Sequence, residues 1–335
     1  MRPLLSPRTL SLALTLTAVA ACSDTTGPED AATVSEIVVS TVPLRASVEA
    51  LAHDSMCGRP TGTAYERMAA DYIAGAFERA GLLPAGTSGY LQAVSIGPLP
   101  RETRASTDLC TYEAGVASQN VVGALAGTGN LAGQWVVVGA HYDHVGWREE
   151  DGLTRVFNGA DDNASGTAVL MEVGRLLAAW VEAHPEAAAA RRSIMFHAYG
   201  AEEIGLFGSR QYAATPTVPG DSLYAMVNLD MIGRLRDRTL TVIGSGTSTA
   251  WTGLLETARP DGIEFLYSSQ GIDRSDQWSF LSTWNLPVVH LFTGLHSDYH
   301  TPADDPPLLN YGGMALVAQL TLGLLWDLAT RPDAM

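Results

Sequence analysis

Nitrogen and oxygen donors recur along this chain in short clusters: His141, Asp143 and His144; Asp161, Asp162 and Asn163; Glu202 and Glu203; Asp230; Tyr299 and His300. Imidazoles mixed with carboxylates suit Zn²⁺, and the number of clusters points to the ligand set of a two-zinc hydrolase. An aspartate shared by two ions, with a histidine and a carboxylate on each, leaves room for a bridging water as nucleophile. Taken singly, each cluster is weak. A lone histidine at a strand end is more often structural, a Glu-Glu pair is usually solvated, and an Asp-Asp-Asn run is usually a turn or a cap. Their meaning depends on where the fold places them.

Tyr65, Ala69, Tyr72, Ile73, Ala76 and Ala80 repeat at helical spacing before a Gly81 stop, which predicts a helix packed on a sheet. Val121-Val122 and Trp135 to Val138 are β-branched runs of the kind found in strands buried on both faces. Val169, Val173, Leu176, Leu177 and Trp180 predict an amphipathic helix, opened by Asn163 and Ser165. Residues 193–199, 224–229, 239–243 and 287–292 read as further strands, with helices near 249–259, 275–283 and 310–329. This alternation predicts an α/β fold: a mostly parallel, mixed central sheet with helices on both faces. His141 then follows one strand, Glu202 and Glu203 another and Asp230 a third, while His300 lies beyond a fourth. Open α/β sheets bind ligands outside the carboxyl ends of their strands, so four strand ends converge on one crevice.

These segments resemble the M28 family of zinc peptidases, which includes bacterial aminopeptidases. The likeness is carried by Gly62-Thr63, Tyr90 to Gln92, Asn120 to Gly123, Asp161 to Gly166, Arg274 to Asp276 and Gly294 to Pro302, and spans nearly all of the chain beyond its leader. It implies a zinc exopeptidase (phosphorylase/hydrolase-like) architecture with two Zn²⁺ per chain. By that resemblance His141 and Asp230 bind one ion, Glu203 and His300 the other, Asp162 bridges them through a cis peptide to Asn163, and Glu202 is the general base. Asp143, two residues after His141, is expected to receive the imidazole N–H and orient the ring. Tyr299 either donates its phenol to the oxyanion or is a packed aromatic. Asp161 is expected beside the site in a structural role, His144 as an outer neighbour and His290 in the core. His296 is not counted as a ligand, because Ser297 stands where a zinc-binding helix pair needs Glu.

The activity implied is removal of amino-terminal residues from peptides. Carboxypeptidase, dipeptidase, M20-like deacylase, glutaminyl cyclase and inactive surface binding module are the alternatives, and Co²⁺ or Mn²⁺ can occupy similar sites. M20 enzymes usually carry an inserted dimerisation domain, of which the sequence shows no sign.

With 46% hydrophobic and 17% charged residues among 335, the chain reads as globular, with one catalytic domain over 38–331. A net charge of -16 disfavours a nucleic-acid partner. All 20 basic residues are Arg, which eliminates lysine-dependent chemistry, and no Gly-x-Ser-x-Gly elbow marks a serine hydrolase. Arg2 and Arg8 precede an apolar run, Leu10 to Val19, that is too short to span a membrane. The small residues before Cys22 resemble a bacterial lipobox, so residues 1–21 are expected to be a signal and 22–37 a tether. The protein is then exported and held by a lipid on Cys22 facing the periplasm or cell surface, the alternative being a secreted soluble form. Cys57 and Cys110 remain as an even pair, either a disulfide or two buried thiols.

Overall fold

The computed structural model describes residues 33–96, 107, 109–111, 117–187 and 190–335. The expected signal, Cys22 and the tether as far as residue 32 lie outside the described residues. In chain order the elements are α1 (Thr41–Leu51), α2 (Ala64–Arg79), β1 (Leu83–Pro84), β2 (Leu91–Val94), β3 (Ser118–Leu125), β4 (Trp135–His141), β5 (Trp147–Glu150) and β6 (Leu153–Val156). They continue with α3 (Gly166–Ala183), β7 (Ser193–Tyr199), α4 (Phe207–Ala214), β8 (Leu223–Leu229), β9 (Thr239–Ile243), α5 (Trp251–Ala258), β10 (Glu264–Ser268), α6 (Gln277–Trp284), β11 (Val288–Phe292) and α7 (Tyr311–Thr330).

The main sheet runs β1-β3-β7-β4-β8-β11-β9-β10, with β2 also paired to β3. Its centre, β7-β4-β8-β11, is parallel throughout. β3 joins one side antiparallel and β9 the other, with β10 parallel to β9. The sheet is therefore mixed with a parallel core. The strand alternation sorts side chains to two faces. Val136, Val138 and Ala140 of β4 enter the larger core with Ile73 of α2, Val169 of α3 and Val317 of α7. Val137 points the other way, to a smaller core with Tyr212 of α4 and Phe280 of α6. Gly139 is needed where β4 passes beneath Tyr199, since a Cβ there would lie 2.4 Å from that ring.

Local signals account for the helix ends. The Thr63 side chain caps α2 by accepting from the Glu66 amide, and the Asn310 side chain caps α7 by accepting from Gly313. The structure also holds elements that the periodicity does not announce. Helices α1 and α4 are short, and β10 is an edge strand with largely exposed residues, so none leaves a strong pattern. The charged β5–β6 hairpin turns at Asp151-Gly152, both left-handed, a signal that Asp-Gly carries. Within the span read as tether, Val34 sits in a short 3₁₀ turn, Val34–Glu36, and is buried in the larger core. Ala32–Met335 forms one unit. Cys57 and Cys110 are joined in a disulfide, with Cα atoms 5.8 Å apart.

Candidate metal centre

Strand ends deliver the donors. His141 is the last residue of β4, Asp230 directly follows β8, Glu202 and Glu203 lie three and four residues past β7, and His300 lies in the loop after β11. The chain turns sharply at these points. Ala201, Met231 and His300 itself hold left-handed φ angles of 57°, 52° and 53°, conformations that non-glycine residues adopt at some cost. Asp162 comes from a tight turn, Ala160–Ser165, that runs into α3 and contains a cis peptide between Asp162 and Asn163.

That turn is held from three sides. Asn163 donates to the Leu229 carbonyl at 2.9 Å, and its own side-chain oxygen accepts from Met231 at 3.2 Å, which fixes the turn to the end of β8. Asp161 accepts from the Gly233 amide at 2.6 Å and from His296 Nε2 at 3.1 Å. Buried Asp304 accepts the Asp161 and Asp162 amides at 2.9 and 3.1 Å. The carboxylate of Asp162 is thus placed by a saturated backbone.

Its two oxygens face two groups of donors. Asp162 Oδ1 lies 3.2 Å from His141 Nε2, which is 3.3 Å from Asp230 Oδ1. Asp162 Oδ2 lies 2.9 Å from His300 Nε2, which is 3.1 Å from Glu203 Oε2. Within each of the sets His141, Glu202, Asp230 and His144, Asp162, Glu203, His300, the donor atoms lie within 4.8 Å of one another. Tetrahedral ligands about 2.0–2.1 Å from a zinc ion stand about 3.3 Å apart, close to the spacings above. His300 Nε2 makes no hydrogen bond despite its short distances to Asp162 and Glu203, as for donors aimed at a shared third atom. The residues therefore fit a pair of divalent cations.

The electrostatics agree. Burial would raise the Asp162 carboxyl, but His141 and His300 hold it well below the usual carboxylate range. Burial, only partly opposed by His141, pushes Glu202 well above that range, and Asp276, Glu203 and Asp230 add to the rise. Burial would lower His141, but Glu202 and Asp230 raise it, and His300 is likewise drawn up to about 10 by Asp162 and Glu203 against its own burial. The site thus concentrates negative charge and collects protons to offset it. Cations bound there take the place of those protons, leaving the carboxylates ionised and the imidazoles neutral.

The structure places the remaining sequence candidates as follows. Asp143 is buried, but its carboxylate lies 3.8 Å from His141 Nδ1, too far for the expected hydrogen bond, and it is the Asp143 carbonyl that lies 3.2 Å from that nitrogen. The carboxylate accepts instead from the Glu202 amide at 2.9 Å, the Glu203 amide at 3.3 Å and the Thr61 hydroxyl at 2.8 Å. It clamps the Glu-Glu loop rather than the imidazole. His144 Nδ1 lies 2.7 Å from Glu203 Oε1, on the carboxylate oxygen turned away from His300. His290 is buried in β11 with Nε2 3.4 Å from the Asp230 carbonyl. Tyr299 is half-exposed and stacks on His300 with ring centroids 3.9 Å apart.

Four residues around the site escaped the sequence reading as individuals: Asp304, Glu66, Asp276 and Arg59. Asp304 stands four residues after His300, and Asp276 lies in the Arg274 to Asp276 stretch that carried the resemblance. Burial raises Asp276 to about 7, with His141 opposing and Asp230 adding. Glu66, raised by burial and Asp143 to about 8, accepts from the Gly62 amide at 2.7 Å and the Ser118 hydroxyl at 2.6 Å.

Residues 120–325 match the family described as Peptidase family M28. The chain belongs to that family. Among curated relatives it is 32% identical over 207 residues to a leucine aminopeptidase 1 of Uncinocarpus reesii, covering 58% of this chain and 51% of the relative. It is 31% identical over 207 residues to a protein of the same name from Coccidioides posadasii, covering 58% and 52%. The chain spans about half the length of the curated relatives it matches. Among solved structures it is similar to an aminopeptidase of Legionella pneumophila, with a TM-score of 0.66 and 20% identity over 88% of this chain and 73% of that one. It is also similar to a zinc aminopeptidase of Bacillus subtilis, with a TM-score of 0.65 and 18% identity over 89% and 97%. At these identities the structural likeness is one of fold.

Proposed function

We propose that this chain is a dinuclear zinc aminopeptidase that removes residues from the free amino end of peptides. One observation carries the reading: the two oxygens of Asp162 face two separate donor sets, at 3.2 Å and 2.9 Å, as a bridging carboxylate requires. Membership of a peptidase family and relatives named as aminopeptidases support the substrate class. In this reading His141 and Asp230 hold one ion, Glu203 and His300 the other, and Asp162 both. When bound, two such ions polarise the scissile carbonyl and lower the pKa of water.

The side chains supply the rest. Glu202, beside the ligands but free of the His300 group, accepts the proton of the attacking water and returns it to the departing amine. Asp143 fixes the backbone of Glu202 and Glu203 through both of their amides, so base and ligand keep their relative positions. His144 steadies the outer oxygen of Glu203. Tyr299, on the open side of the site, donates its phenol to the oxygen on which negative charge develops. The surrounding carboxylates favour a substrate ammonium over a carboxylate, which favours the amino end.

Mass spectrometry of a peptide library incubated with the zinc-loaded protein tests this reading. Stepwise loss from free amino ends is expected, with amino-acetylated peptides resistant. Loss from carboxyl ends or internal cleavage would reject it. Export and lipid attachment at Cys22 belong to the same proposal and rest on the leader sequence alone. Cys22→Ala is expected to abolish incorporation of labelled fatty acid in a bacterial host.

A further inference from the structure

Arg59 is fully buried, yet every one of its acceptors is a backbone carbonyl. Its Nε donates to Tyr142 at 2.8 Å, one Nη donates to Leu51 and to Asn158 at 2.8 Å, and the other donates to Gly159 at 3.0 Å. Three of these contacts are tied to the metal centre. Tyr142 lies between His141 and Asp143, while Asn158 and Gly159 lead directly into the turn that carries Asp162. One planar group therefore fixes the distance between the loop after β4 and the turn before α3.

The approach to Arg59 is equally constrained. Cys57, Gly58 and Arg59 are all left-handed, at φ 46°, 66° and 46°. A Cβ on Gly58 would lie 2.4 Å from both the Gly146 and Phe157 carbonyls, so this turn threads a gap that only glycine fits. The Arg59 carbonyl accepts the His144 amide at 3.2 Å, and Cys57 is bonded to Cys110. Burial lowers the guanidinium to about 10, with Asp162, Asp143, Asp304 and Glu203 opposing the fall. It remains cationic at neutral pH and sits in the field of the same carboxylates that would hold the ions.

We propose that Arg59 is a positioning residue for the metal centre, setting the spacing between His141 and Asp162 through its carbonyl contacts. The inference rests on the metal-binding reading above. It requires the planar fork and not merely a positive charge, because a lysine ammonium presents three donors from a single point and cannot reach four carbonyls spread over three segments.

The test compares wild type, Arg59→Lys and Arg59→Gln in the full chain. Zinc stoichiometry and affinity are read by competition with a chromophoric chelator, coordination by the visible absorption of the Co²⁺-loaded proteins, and kcat and KM separately. Wild type is expected to hold two ions. Both variants are expected to bind at least one ion about 10–100-fold more weakly, the scale on which outer contacts tune metal affinity, with an altered Co²⁺ spectrum. The loss should fall in kcat rather than KM. Should Arg59→Gln fail to fold, Arg59→Lys decides, since it keeps a buried cation. A wild type that binds no zinc would defeat the metal reading itself. A wild type with two ions and an Arg59→Lys protein whose affinity is within about threefold would overturn the positioning role alone.

Discussion

The two ends of the central sheet each bury charged side chains, and they treat them in opposite ways. At the amino end, Arg192 precedes β7, lies over the Tyr224 ring at 3.6 Å, and donates to Gln134 at 2.7 Å and to the Leu328 and Arg331 carbonyls at 3.0 and 2.6 Å. Cavities of about 320 and 460 Å³ open there, yet no histidine lines them. At the carboxyl end Asp162, Glu202, Glu203 and Asp230 converge with three imidazoles, and the short distances include contacts that satisfy no hydrogen bond. Space and burial are common to both ends. What marks the carboxyl end is that its carboxylates and imidazoles gather within ligand distance of one another, the arrangement that suits an ion.

The largest expected effect at the carboxyl end is that of Glu202→Gln. It should lower kcat about 10²–10⁴-fold, as for loss of a general base, while chelator competition shows the zinc still bound. Full activity in that variant would remove Glu202 from the proton transfer and leave the carboxyl end without its proposed base.

Glu66 sharpens the contrast through stability. Its carboxyl is raised to about 8 by burial, so the folded state keeps a proton that the unfolded chain releases above about 4.5. Its contribution is therefore complete below about 4.5 and lost as pH rises to about 8, a decline on the order of a few kcal/mol. Chemical denaturation from pH 4.5 to 8 should show Glu66→Gln with a flatter stability profile than wild type. Parallel profiles would mean that Glu66 is ionised in the fold.

Arg192→Ala probes the opposite end. It should lower unfolding stability by about 1–3 kcal/mol through unsatisfied carbonyls, with kcat/KM unchanged once the protein is folded. A specific loss of kcat would break the division between the two ends. The smallest effect is expected for Tyr299→Phe, about tenfold in kcat, below the usual value for an oxyanion donor because the residue is half-exposed. No change in kcat would leave Tyr299 as a ring packed on His300.

The sequence carries the parallel core of the sheet because its β-branched runs are long and buried on both faces, and it carries α2 and α3 through their helical repeats. It also carries the order of the donors, since His141, Glu202, Glu203 and Asp230 sit at or just past strand ends. Short or edge elements such as α4 and β10 bury too little to leave a pattern. Arg59, Asp304 and Glu66 were invisible for a different reason. Each is a polar residue made essential only by burial between segments far apart in the chain, and no local spacing records that. Asp143 shows the limit of proximity in sequence: two residues from His141, its carboxylate serves the amides of a loop 59 and 60 residues away.

Zinc stoichiometry across three proteins tests the central claim most directly: wild type, Asp162→Asn and Asp230→Asn, each loaded with excess Zn²⁺, freed of unbound metal and measured by elemental analysis. A bridging Asp162 predicts two ions in wild type, one retained in Asp230→Asn, and fewer in Asp162→Asn than in Asp230→Asn. Two ions retained by Asp162→Asn, or a single ion in wild type, would contradict it.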